Sequence, residues 1–355
     1  MVAPPGDPIQ EVPFSAETVV AAIPAAAKPG NRNRPRAAIK RHRAPVTELK
    51  LDFKRRLLFW AMVGLLHVLS LIPDFILYPL GAAGGFVGYL VDRSHVRVGL
   101  RNLAIAFPDK SQHERHRILR ASYVNLGRSA AEYIRLGGFF YRRLKARVTY
   151  SRFEYWKEVS DRHGGVGPII LTAHLGNFEL LPTAHAMYDF GITLVHHTQR
   201  FLAGDAMMTY VRERAGVTIL RKHAAARAVL KALKRGEMVG IPFDQNAKRS
   251  EAIFVPFFGE LAATSSGLAR LVAISRAPVA PVYLVRQPDR RSHRIEIFDE
   301  IEVQRTGDPA ADIEENTRRF TRAVEDIARR YPEQFLWTHR RYRTRPRGMP
   351  PIYDS

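Results

Sequence analysis

The sequence predicts an α/β protein with a largely parallel central sheet flanked by helices, behind an N-terminal hydrophobic segment that reads as a membrane anchor. Three observations predict it. Short apolar runs alternate with helical patterns from residue 168 to residue 331. The stretch from Leu57 to Val91 is almost continuously apolar. The six residues His174-Leu175-Gly176-Asn177-Phe178-Glu179 follow the strand-like run Pro168–Ala173 and precede a helix-like opening, Leu180–Ala184. Open α/β sheets carry their chemistry at such strand ends.

The elements follow in order. Residues 1–50 read as a disordered basic tail, rich in Pro, Ala and Arg and poor in large apolar side chains. No signal-peptide layout is present. Basic residues gather toward its end, from Arg32 to Arg43 and on through Lys54-Arg55-Arg56. Directly before an apolar stretch, such residues suit an anionic cytoplasmic leaflet, at roughly 1 kcal/mol each near the surface. Residues 51–92 form the anchor. Leu57–Ile72 and Phe75–Val91 are apolar, with Pro73-Asp74 between them. One full span takes about 20 apolar residues, so two crossings do not fit. Basic flanks on both sides favour a short hairpin or an interfacial helix. The Gly81/Gly85 and Gly84/Gly88 spacings allow close helix packing.

Residues 93–347 form the catalytic domain, and 348–355 a tail. Ser111 with Glu114 three residues on is a capping-box pattern ahead of a helix over 113–136. Strands are expected at 192–195, 217–220, 238–243, 279–285 and 293–298, and helices at 206–214, 224–234, 265–275 and 312–331. Phe254–Gly259 is an apolar run closed by a glycine. No internal repeat is visible.

Composition narrows the chemistry. Lys+Arg number 55 against 34 Asp+Glu, a net +21 that calls for a polyanionic partner or surface. There are no cysteines, which excludes disulfides, thiolate metal sites and thiol nucleophiles. No GxSxG elbow, Walker A or GxGxxG after a strand occurs. His196-His197 lacks carboxylates at ligand spacing, so no metal is expected. No known nucleic-acid module surrounds the aromatic and basic residues from Arg340 to Tyr353, so no nucleic-acid partner is expected.

His174 and Glu179 are then the candidate pair. In a continuous helix, residues five apart point about 140° from each other. A turn through Gly176-Asn177 serves them better. There Glu179 can fold back onto one imidazole nitrogen and leave the other free as a base.

With these residues placed, the chain resembles the bacterial lipid A biosynthesis acyltransferases, the late lauroyl- and myristoyl-transferases of the wider HxxxxD/E glycerolipid acyltransferase group. The likeness runs through most of residues 57–347. It rests on Arg101–Pro108, on Asn125-Leu126-Gly127-Arg128 with a carboxylate near Glu132, and on the HxxxxE motif from His174 to Glu179. It rests further on the DQ turn Asp244-Gln245, the FxPFF segment Phe254–Phe258 with Thr264, and above all the C-terminal run Pro332–Pro346. This chain departs from the pattern at Asn246, where many members carry a second Asp, and at His196–Arg200, where an Arg-Pro pair is frequent.

The resemblance implies transfer of a fatty acyl group from a thioester, on acyl-carrier protein or coenzyme A, to a hydroxyl of a membrane glycolipid, most simply a lipid A precursor. It implies catalytic roles for His174 as base and Glu179 as its orienter. It implies substrate-binding roles for Asn177, Arg200, Asp244, Gln245, Thr264, Arg340 and Arg341. No cofactor is implied. The implied location is the inner membrane, with the catalytic domain on its cytoplasmic face among anionic lipids. The alternatives are a coenzyme-A-dependent acyltransferase of another glycolipid or phospholipid and a non-enzymatic basic membrane adaptor.

Overall fold

The structure, a computed structural model, describes residues 51–353 apart from 197 and 222–224. The basic tail expected over residues 1–50 lies outside the described residues. Two helices, α1 (Phe53–Leu69) and α2 (Asp74–Val91), open the described chain. Asp52 caps α1 by accepting the Arg55 N–H at 2.8 Å. Pro73 starts α2, where its fixed φ suits a helix entry. The two apolar runs on either side of Pro73-Asp74 are therefore two helices. Helix α2 is long and apolar enough to cross a membrane by length and composition.

The outer faces of both helices are apolar. Leu57, Trp60, Leu65, Val68, Phe75, Leu80, Val87 and Val91 are all exposed. The inner face of α2 packs on α4 (Gln112–Gly137), which carries the expected capping box of Ser111 and Glu114, while that of α1 packs on α4 and, through Phe59 and Val63, on Ala203 and Ala206 of the helix Leu202–Arg214. Gly81 and Gly85 lie against Gly127 and Tyr123 of α4, so closely that a Cβ on Gly81 would sit 2.6 Å from the Gly127 carbonyl oxygen. Of the two glycine spacings read from the sequence, Gly81/Gly85 is used for backbone-to-backbone packing, whereas Gly84 faces open space and Gly88 meets only the Tyr123 ring. Arg135 of α4 binds the turn between α1 and α2, donating to the Ser70 and Ile72 carbonyls and pairing with Asp74.

Helix α3 (Arg93–Ala106) follows α2 and precedes α4. The order then runs β1 (Val148–Tyr150), α5 (Tyr155–Arg162), β2 (Ile169–Thr172), α6 (Leu180–Met187), β3 (Ile192–His196), α7 (Leu202–Arg214), β4 (Thr218–Arg221), α8 (Ala225–Lys234) and β5 (Met238–Pro242). It continues with β6 (Ala252–Phe257), β7 (Glu260–Ser265), α9 (Gly267–Ser275), β8 (Val279–Arg286), β9 (His293–Ile297) and α10 (Pro309–Arg330). The main sheet has seven strands in the order β1-β9-β8-β2-β5-β3-β4. All pairings are parallel except β8 with β9. The central strands β2 and β8 are buried throughout, which is why they read as unbroken apolar runs rather than alternating ones.

Two details differ from the sequence reading. The run Phe254–Gly259 is half of a hairpin, β6 returning as β7. Phe258 and Gly259 turn it with φ of 52° and 80°, the positive pair a two-residue hairpin loop requires. Residues 348–353 are tied down: Tyr353 donates its hydroxyl to Asn102 at 2.6 Å and accepts the Tyr342 N–H.

Candidate active site

Sheet register brings the site together. Strand β2 runs parallel to β5 with Thr172 opposite Pro242. Two residues further on, His174 comes opposite Asp244. On the other side β2 pairs with β8, Leu171 opposite Pro281, so the turn after His174 meets Leu284. The chain must swing away there. Gly176 makes the swing with φ of +62°, and any Cβ on it would collide with the Leu284 carbonyl. Its own carbonyl accepts from Asn125 Nδ2 and Ser129 Oγ. The C-terminal run closes the other side, through Gly176 N–H to Gln334 and Leu336 N–H to the His174 carbonyl.

His174 Nδ1 lies 2.9 and 3.0 Å from the two oxygens of Asp244. The Asp244 side chain is 1% exposed and that of His174 is 20% exposed. A buried carboxylate accepting from Nδ1–H fixes the tautomer and leaves Nε2 as the free base. Burial disfavours the charged ring, but the charge and hydrogen bond of Asp244 outweigh it, so the His174 pKa is raised above its ordinary value. Burial likewise opposes ionisation of Asp244, and His174 overrides it, holding that carboxyl below the usual range. The ring meets Phe178 edge to face at 4.7 Å. Gln245 Nε2 stands 3.4 Å from His174 Nε2.

Glu179 does not fold back onto His174. Its carboxylate takes Arg212 of α7 in a two-pronged pair at 2.8–3.1 Å. Arg212 reaches on to His196 Nδ1 at 3.1 Å, and His196 Nε2 to Asp205 at 2.6 Å. Glu179 acts on the imidazole only through its charge, which adds to the rise in the His174 pKa. The orienting position expected for Glu179 belongs to Asp244, because the sheet supplies a buried carboxylate beside the ring and Arg212 draws Glu179 outward.

The other sequence candidates separate into three groups. Gln245 is exposed beside the imidazole. Asn177, Thr264 and Arg341 are buried. Asn177 donates to Glu132 at 2.6 Å and caps the head of α6 by accepting the Leu180 N–H. Arg341 donates to the Gln245 and Ala263 carbonyls and to Thr264 Oγ1, bracing the DQ turn against β7. Arg200 and Arg340 are exposed on loops. Asn246, one of the departures from the pattern, exchanges hydrogen bonds with Thr344 at 3.0 Å, tying the DQ turn to the C-terminal run.

Sequence reasoning missed a second cluster beneath the turn. Glu132, 1% exposed, receives Arg286 in a fork at 2.5 and 2.9 Å and lies 2.9 Å from His293 Nε2. Burial works against its charge, yet His293 and Arg286 pull its pKa down to about 2. Arg286 also donates to Asn125 and Ser129, the residues that hold Gly176. The one sequence signal was the carboxylate near Asn125-Leu126-Gly127-Arg128. Its partners come from β8 and β9, more than 150 residues away. Among the described residues no group of three His, Asp or Glu side chains is placed to hold a metal ion.

A buried carboxylate, an imidazole and a half-open Nε2 at a strand end can take a proton from a hydroxyl. The family model for the bacterial lipid A biosynthesis acyltransferases matches residues 45–344. Similar proteins include the lipid A biosynthesis lauroyltransferase of Escherichia coli K12, 27% identical over 83% of this chain and 94% of that protein. The palmitoleoyltransferase of the same organism is 26% identical over 83% and 94%. Its myristoyltransferase is 25% identical over 81% and 88%.

Proposed function

We propose, from the premise that this chain belongs to the bacterial lipid A biosynthesis acyltransferase family, that His174 is the general base of its acyl transfer and Asp244 the carboxylate that orients it. Family membership makes the protein an acyltransferase of lipid A biosynthesis, moving acyl chains to a lipid A precursor, and implies membrane association in bacteria.

The step is as follows. The acceptor hydroxyl displaces the Gln245 amide from the neighbourhood of His174 Nε2. Its oxygen attacks the thioester carbonyl as Nε2 takes the proton. The imidazolium is stabilised by Asp244. The tetrahedral oxyanion collapses, the C–S bond breaks, and the leaving thiolate takes the proton back from His174. Ester and free thiol result. The oxyanion needs donors. The N–H groups of Leu175, Gly176 and Asn177 are already bonded, whereas among the described residues those of Phe178 and Glu179 meet no acceptor. These two are the candidates. Arg200 and Arg340, both exposed, are the candidates for an acceptor phosphate. Glu179, held by Arg212, tunes the charge around the base.

The donor is a thioester on acyl-carrier protein or coenzyme A. A net charge of +21 favours the acidic carrier, and its binding should weaken with salt. The apolar outer faces of α1 and α2 rest in the inner membrane, with the catalytic domain on the cytoplasmic side. The Asp244–His174 contact carries this reading. His174→Ala is expected to abolish transfer of a radiolabelled acyl group from either thioester to lipid, while the protein still accumulates in membranes. Near-parental turnover in that variant removes His174 as the base.

A further inference from the structure

Beside the anchor lies an open cleft of about 970 Å³ whose charge the acyl-transfer reading does not use. Arg117, Arg120 and Arg128 enter it from α4, three and eight positions apart and so on neighbouring faces of one helix. Arg290 enters from the β8–β9 turn. Among the described residues none of these four makes an ion pair, and Glu333 is the one carboxylate in the lining. Arg286, at the floor, is already matched by Glu132. Half-buried Arg128 has its pKa lowered, by burial first and then by the facing charges of Arg286 and Arg290. The cleft is therefore a concave set of unmatched cations, which an anion would relieve. A fifth arginine in the lining, Arg294, is paired with Glu296. The wall contributed by α2 is apolar: Phe86 lines the cleft and is continuous with exposed Val87 and Leu90.

We infer that this cleft binds the phosphate headgroup of an anionic bilayer phospholipid, whose acyl chains lie along Phe86 and the outer face of α2. The inference rests on the proposal that α2 sits in the membrane. A soluble acidic protein would suit cations on a convex polar surface. Here Arg128 is half-buried, Arg117, Arg120 and Arg290 stand exposed at the rim, and one wall is a helix whose outer side is greasy, which fits a molecule with an anionic head and hydrocarbon tails.

The test uses the full chain in neutral detergent, titrated with mixed micelles holding phosphatidylglycerol or phosphatidylcholine, with no acyl donor present. It therefore reads lipid binding whatever becomes of His174 as the base. The parent should prefer phosphatidylglycerol. Near-surface charges contribute about fivefold each, so Arg117→Gln with Arg120→Gln and Arg290→Gln should lose about 100-fold of that binding. Removing three exposed arginines elsewhere, Arg227, Arg305 and Arg322, should change it by less than about threefold. Should the triple variant melt early, the single Arg290→Glu on its exposed turn should still lose about 5- to 25-fold. No preference for phosphatidylglycerol in the parent, or equal losses in cleft and control variants, overturns the inference. So does a variant that keeps lipid binding and loses acyl-carrier protein, which would make the cleft a protein-docking surface.

Discussion

Replacing Asp244 by asparagine removes one charge and keeps the outline of the side chain. The oxygen of the amide can still accept from His174 Nδ1–H, but the imidazolium formed during transfer loses its counter-charge. The contact is 2.9 Å and the Asp244 side chain is 1% exposed, so water screens little of the interaction. A hydrogen bond to a charged group contributes about 1.5–3 kcal/mol, or about 10- to 150-fold in rate. Loss of the enforced tautomer adds to this, and the total is expected at about 10²–10⁴-fold in kcat/KM. The pH profile separates this role from a structural one. His174 must be neutral to act, so activity rises with pH through its pKa, which burial lowers and Asp244 raises to above the ordinary histidine value. With the Asp244 charge gone, burial is opposed only by the more distant charge of Glu179, and the acid limb of kcat/KM should move to lower pH. The assay is turnover of a labelled acyl thioester across a pH series. A variant within threefold of the parent, with its acid limb unmoved, refutes the assignment of Asp244 as the orienting carboxylate. Stability follows the same linkage: the depressed pKa of Asp244 contributes stability at neutral pH that is lost as pH falls through the carboxylate range.

Glu179→Gln should cost about tenfold in rate, less than Asp244→Asn, with the acid limb also shifted down because Arg212 is left unopposed near the base; the same pH series checks it. Glu132→Gln leaves Arg286 buried with a weakened partner and should destabilise the fold by about 3–5 kcal/mol, seen as an early thermal transition in detergent. A melting temperature equal to the parent's would mean that the buried cluster does not hold the turn. Gly85→Ala puts a Cβ into the Tyr123 carbonyl of α4 and should cost about 1–3 kcal/mol through helix separation, read in the same melting experiment.

The local features of this protein were legible in its residues. Apolar runs marked β2, β5 and β8, because strands covered on both faces carry no alternation. Ser111 and Glu114 marked the start of α4, because capping chemistry acts over three residues. His174 at the end of an apolar run before Gly176-Asn177 marked the turn proposed here as the active site, because a strand end can present such a side chain. The hairpin return at Glu260–Ser265 escaped notice because Phe258 supplies one of its two positive φ values, and no propensity announces phenylalanine there.

The partner of His174 lay beyond that reach. Sequence proximity favoured Glu179, five residues along, whereas the tertiary structure chose Asp244, seventy residues along. The reason is sheet order. The partner is decided by which strand lies beside β2, and β5 lies there with Pro242 opposite Thr172. Parallel neighbours need not be neighbours in sequence, since helices and other strands intervene. The same holds for Glu132, Arg286 and His293, drawn from α4, β8 and β9 into one buried cluster. Composition and periodicity determined which side chains had the chemistry and which faces were greasy. Strand register and long-range packing decided which of those side chains touch.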